Sequence, residues 1–139
     1  MEELLRFLIT RSMFLFTLRG FRIVDSRTFG SSGDALIVLE SASMRLRLVR
    51  DSAQMHLQVQ PNQTDLDEWF GIGIARRWIV GERPGSDALD DQSVEFLHDQ
   101  MDRLEAEFAS AEGRDLAVAR MRSEKRARAR EMSKAPPPG

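Results

Sequence analysis

Between Met44 and Val59 the chain alternates apolar and polar residues in two successive runs, and this constrains the fold more than any other stretch. Successive side chains of a strand point to opposite faces. Folding the two runs back on each other therefore gathers Met44, Leu46 and Leu48 with Met55, Leu57 and Val59 on one side. A two-residue Asp51-Ser52 loop sets Leu48 against Met55, Leu46 against Leu57 and Met44 against Val59. Slipping the pairing by one residue buries Arg45 and Arg47, so that register is disfavoured. The other face then carries Arg45, Arg47, His56 and Gln58.

The hairpin needs neighbours. Leu4, Leu8, Leu15 and Leu18 follow helical spacing up to Gly20, which predicts one helix over Glu2 to Leu18 and then a strand from Phe21 to Asp25. Its apolar stripe is broad enough to pack between elements or to serve an oligomer interface. The Gly30 to Gly33 turn leads into Ala35 to Glu40, apolar on both faces as in a central strand. Four strands in sequence with short turns predict an antiparallel meander, whose apolar face requires helical cover.

Glu68 to Phe70 reads as extended or turn, Ile72 to Val80 as a short helix that sets Trp78 and Ile79 on the sheet and stops at Gly81. From Asp90 or Asp91 a second helix follows, with Val94, Leu97, Met101, Leu104 and Phe108 at three-and-four spacing. Gly113 interrupts it. Asp115 to Lys134, rich in alanine and arginine, restarts a helix with little to bury, so it is expected to project and fray. The fold expected is α+β: an N-terminal helix, a four-stranded antiparallel meander, then two to three C-terminal helices. Residues 1–112 form one domain in this reading, 113–134 a charged extension and 135–139 a disordered tail.

Composition limits the chemistry. A chain of 139 residues without cysteine has no disulfide, thiolate nucleophile or cysteine-rich zinc site, and the absence fits a reducing cytoplasm. The acidic start, Glu2-Glu3, is unlike a secretory leader, and no apolar window approaches the ~20 residues of a membrane span. The net charge of −2 conceals an acidic stretch from Gly81 to Asp115 and a basic one after it.

Phosphate-binding, dinucleotide and hydrolase motifs are missing, and Gly71-Ile-Gly73 lacks the third glycine of a nucleotide loop. Glu95, His98 and Asp102 share a helix face but find no further ligands, so no metal or other cofactor is expected. His56 stands beside Arg47 in the derived register, without a nucleophile. Arg122, Arg126 and Arg130 form a stripe able to meet phosphates, although no aromatic residue interleaves them for base stacking.

The run Leu46-Arg-Leu-Val-Arg-Asp51, followed by Gln54, an alternating strand and Trp69, resembles small bacterial immunity proteins of polymorphic toxin systems. Arg47, Arg50, Asp51, Gln54 and Trp69 carry the resemblance, in the middle of the chain; where those proteins often have Asp-Arg-Gly at the turn, this chain has Asp51-Ser52-Ala53. The resemblance implies helices at both ends and a toxin domain as partner. The expectation is therefore a non-enzymatic protein-binding module that meets a basic toxin. Its contacts would be Asp99, Asp102, Glu105 and Glu107 on the acidic helix, or Arg45, Arg47, His56 and Gln58 on the sheet. The alternatives are a nucleic-acid accessory protein acting through Arg122, Arg126 and Arg130, or an oligomeric structural subunit. Deleting everything after Arg114 separates the first two readings: the protein-binding one predicts retained partner binding, the nucleic-acid one loss of a steeply salt-dependent affinity.

Overall fold

The structure, a computed structural model, describes residues 1–63 and 65–134. Its sheet follows chain order: β1 (Arg22–Phe29), β2 (Asp34–Glu40), β3 (Met44–Asp51), β4 (Gln54–Pro61) and a short β5 (Phe70–Gly71), all antiparallel. The four-stranded meander is thus extended by a fifth strand. Backbone bonds from Leu57 to Asp87 and from Leu89 to Met55 cover the rest of the β4 edge, which leaves β1 as the open edge among the described residues.

The faces of the hairpin are those expected, but its register differs by two residues. Leu48 pairs with Leu57 and Leu46 with Val59, and the loop is Ser52-Ala53 rather than Asp51-Ser52. A slip of two keeps every side chain on its face, so hydrophobic alternation cannot distinguish the registers. Both loop residues are left-handed, Ser52 at φ 52° and Ala53 at φ 65°. That conformation costs about 1–2 kcal/mol for an ordinary residue, and a two-residue turn of this hand favours Asn-Gly. The double substitution Ser52→Asn with Ala53→Gly is expected to stabilise the fold by about 1 kcal/mol. Urea unfolding would register it as a higher midpoint at unchanged slope.

The N-terminal helix is broken into α1 (Glu2–Arg11) and α2 (Phe14–Thr17). Leu4, Leu8 and Leu15 are buried, and Arg11 lies on the same stripe. The break follows Arg11, the last residue of α1, which is exposed and lies 3.4 Å from Asp91. Leu5 and Ile9 remain exposed on α1.

α3 (Ile72–Val80) ends, as expected, at a left-handed Gly81. Ile79 is buried, and Trp78, half-buried against the common core, stacks on Phe108 with 6.2 Å between ring centres. Asp90 caps α4 (Asp91–Glu107) in a reciprocal pair with Ser93, and of the expected stripe Leu97, Met101, Leu104 and Phe108 are buried while Val94 is half-buried and Phe96 is buried beside them.

The last helix corrects two expectations. It begins at Ala111 behind the Ser110 cap, so Gly113 sits inside its first turn and the break falls at 108–110. It also packs instead of projecting: Ala117, Val118 and Met121 are buried in the common core, and ion pairs hold the distal half of α5 (Ala111–Ser133). Three modest apolar residues suffice because charged anchors supplement them. The expected disorder of Ala135 to Gly139 lies outside the described residues. All five helices contribute to one side of the sheet, against Ile37, Leu46, Leu57 and their neighbours. No described helix is long and apolar enough to cross a membrane.

Candidate functional site

The face of the sheet opposite the helices forms a groove of about 350 Å³. β2 and β3 make its floor, since alternation that buries Ile37, Leu39, Leu46 and Leu48 turns Leu36, Val38, Arg45 and Arg47 outward. On one side, the irregularity between Ile23 and Asp25 in β1 brings Val24, Asp25 and Arg27 to the rim. On the other, Trp69 arrives on the segment ahead of β5, which the buried Gln60 amide ties down by donating to the carbonyls of Leu66 and Glu68.

The guanidinium of Arg47 lies 4.5 Å from the centre of the Trp69 ring. Its Nε donates to Gln58 Oε1 at 2.5 Å. Burial pulls its pKa below the ordinary arginine value. The neighbouring cations are neutralised: Arg27 pairs with Asp25 at 3.1 Å and Arg45 with Glu40 at 2.9 Å. Among the described residues no carboxylate pairs with Arg47. Half-buried against the Trp69 ring and without a counter-charge, it is, among the described residues, the groove cation available to another molecule.

The sheet residues singled out from sequence divide accordingly. Arg45, Arg47 and Gln58 come together, whereas His56 shares the face but pairs with Val49, not with Arg47. The acidic helix lies in the helical layer on the other side of the sheet, so the two sets cannot form one site. Asp102 is engaged by Arg19 at 2.5 Å, with Glu105 at 3.9 Å, while Asp99 is exposed and Glu107 half-buried. Glu95, His98 and Asp102 do not converge: His98 meets the Phe14 ring edge-on at 5.2 Å. Among the described residues no three His, Cys, Asp or Glu side chains are grouped to hold a metal ion.

A second polar cluster fastens α5. Arg77, fully buried, donates through both Nη atoms to Glu131, through Nε to Glu124 and through Nη1 to the Pro84 carbonyl. The Glu131 hydrogen bonds hold the Arg77 pKa above its ordinary value, outweighing the opposing effect of burial. Asp87 accepts two bonds of 2.9 Å from Arg128 and one from the Gly73 amide. That amide opens α3, so an internal carboxylate occupies the end of the helix that favours anions. Gly71-Ile-Gly73 is therefore a close-packing element. A Cβ on Gly71 would lie 2.2 Å from the Asp87 carboxyl, and one on Gly73 equally close to the Gly85 carbonyl.

Of the basic stripe, Arg122 is bound to Glu68 at 2.8 Å, whereas Arg126 and Arg130 are exposed. Hydrogen bonding to Arg122 holds the Glu68 pKa low, and Arg77, then Arg83, do the same for Glu131. Carboxylates depressed in the folded state contribute stability that is complete above their unfolded pKa, about 4.3, and lost as pH falls through the folded value. Acidification below about pH 4 is thus expected to loosen the distal half of α5 before the sheet. Residue-resolved amide exchange would detect it, and simultaneous loss of protection in β2 and α5 would refute it. No protein-family model matches this chain, no curated protein matches it in sequence, and no solved structure matches it in fold.

Proposed function

We propose that the chain is a non-enzymatic protein-binding module that docks its partner in the groove on the open sheet face, in the toxin-neutralising manner that the hairpin's resemblance implies. The observation that supports this reading is the Arg47-Trp69 stack. Arginine and tryptophan dominate binding energetics where they sit centrally and partly desolvated, and the groove surrounds them with the aliphatic side chains of Leu36 and Val38. The acidic helix is the weaker candidate, because Arg19 already occupies Asp102.

A photo-crosslinking residue at Val38 is expected to capture a specific protein in cells that express the chain, and the same residue at Ala109 on the helical side to capture none. Arg47→Gln should abolish the adduct. Equal capture from both positions, or capture indifferent to Arg47, would overturn the reading. Toxin neutralisation adds a separate expectation: the captured protein arrests growth when expressed alone and does not when this chain is co-expressed.

A further inference from the structure

Arg47 carries five N–H donors, and only Nε–H has a partner among the described residues, the Gln58 carbonyl. The four Nη hydrogens retain the paired geometry that matches the two oxygens of a carboxylate. The Trp69 ring against the guanidinium and the Gln58 bond at Nε restrain the side chain, so less of its freedom remains to be lost on binding. The other groove-lining cations have carboxylate partners, Asp25 for Arg27 and Glu40 for Arg45, and Glu40 is shared with the exposed Arg22 outside the groove. Among the described groove-lining residues, Arg47 is therefore the cation without a carboxylate partner, and it stands on an aliphatic floor.

Resting on the protein-binding reading above, we infer that the groove receives one aspartate or glutamate side chain of the partner, flanked by apolar residues, with Arg47 as its receptor. One free cation suits one carboxylate. A polyphosphate chain needs a series of free cations, and here Asp25 and Glu40 already hold Arg27 and Arg45. Leu36 and Val38 suit the apolar residues beside the acid, and burial around Arg47 strengthens any pair it forms.

Selection of a random twelve-residue phage-displayed library on the immobilised full-length protein tests this, with Arg47→Gln, Arg47→Lys and Trp69→Ala run in parallel. Enriched peptides are expected to carry Asp or Glu beside apolar residues. A synthetic peptide from the selection should bind at least about 30-fold more weakly to the Arg47→Gln protein, or when its acid is changed to the amide. Arg47→Lys should recover part of the affinity, because it keeps the charge and loses the fork. Unchanged thermal unfolding of the Arg47→Gln protein would confirm that its fold is intact. Enriched peptides that lack a common acid, or bind Arg47→Gln equally well, would overturn this inference and leave protein binding standing. No enrichment over the blank surface would overturn both. Binding of a random RNA pool that Arg47→Gln abolishes would replace the carboxylate with phosphate.

Discussion

Arg77→Ala is expected to lower folding stability by about 3–5 kcal/mol, the cost of breaking a buried ion pair by removing one partner. The side chain is completely enclosed, and its loss empties the space its aliphatic stem filled, at roughly 0.8 kcal/mol for each buried methylene. It also leaves the Pro84 carbonyl without its donor and sets Glu124 beside Glu131 with their counter-charge reduced to Arg83. Arg77→Met separates these contributions. Methionine restores the packing but not the hydrogen bonds, so it should recover about half of the loss, since Glu124 and Glu131 are partly exposed and can turn to water. Urea unfolding followed through Trp78, which stacks on Phe108 close to this cluster, would measure both. A loss below about 1 kcal/mol for Arg77→Ala would mean that the buried arginine does not fasten α5.

The difference between what could be read from sequence and what could not follows the type of force involved. Leu46, Leu57 and their alternates identify the sheet face because burial of apolar side chains leaves a periodic trace. The same trace located α3 and α4. It could not choose between registers two residues apart, nor reveal that Trp69, distant in sequence, lies over Arg47. The docking of α5 was missed because its anchors are charged: Glu124 and Glu131 look solvated until Arg77 is known to be buried beneath them. A signal was present in Arg76 and Arg77, adjacent cations within an otherwise apolar helix, since buried arginine requires carboxylates from elsewhere. Asp87, which closes the start of α3, offered none. Its role depends on two glycines whose missing Cβ atoms make room for it.

Truncation after Arg114 is expected to destroy cooperative folding rather than to remove a dispensable tail. Val118 and Met121, both buried, contribute roughly 1.5–3 kcal/mol each through burial alone. Their removal also exposes the apolar surface of α3 and α4 that they cover. Arg77 loses both carboxylates, and Asp87 loses Arg128. Together these losses match the about 5–15 kcal/mol that stabilises a typical domain. A circular-dichroism melt of the 1–114 fragment should therefore show a broad, shallow transition or aggregation where the full chain unfolds sharply. A sharp transition in the fragment would show that α5 is an appendage after all. The consequence extends to function, because a truncated protein that fails to bind anything reports only that it has unfolded. The informative change is Arg126→Gln with Arg130→Gln, which removes two exposed cations without touching the core. If α5 meets nucleic acid, this pair should weaken that binding and flatten its dependence on salt by about two counterions. If the groove is the working surface, partner binding should be indifferent to both substitutions and sensitive to Arg47 on the opposite side of the sheet.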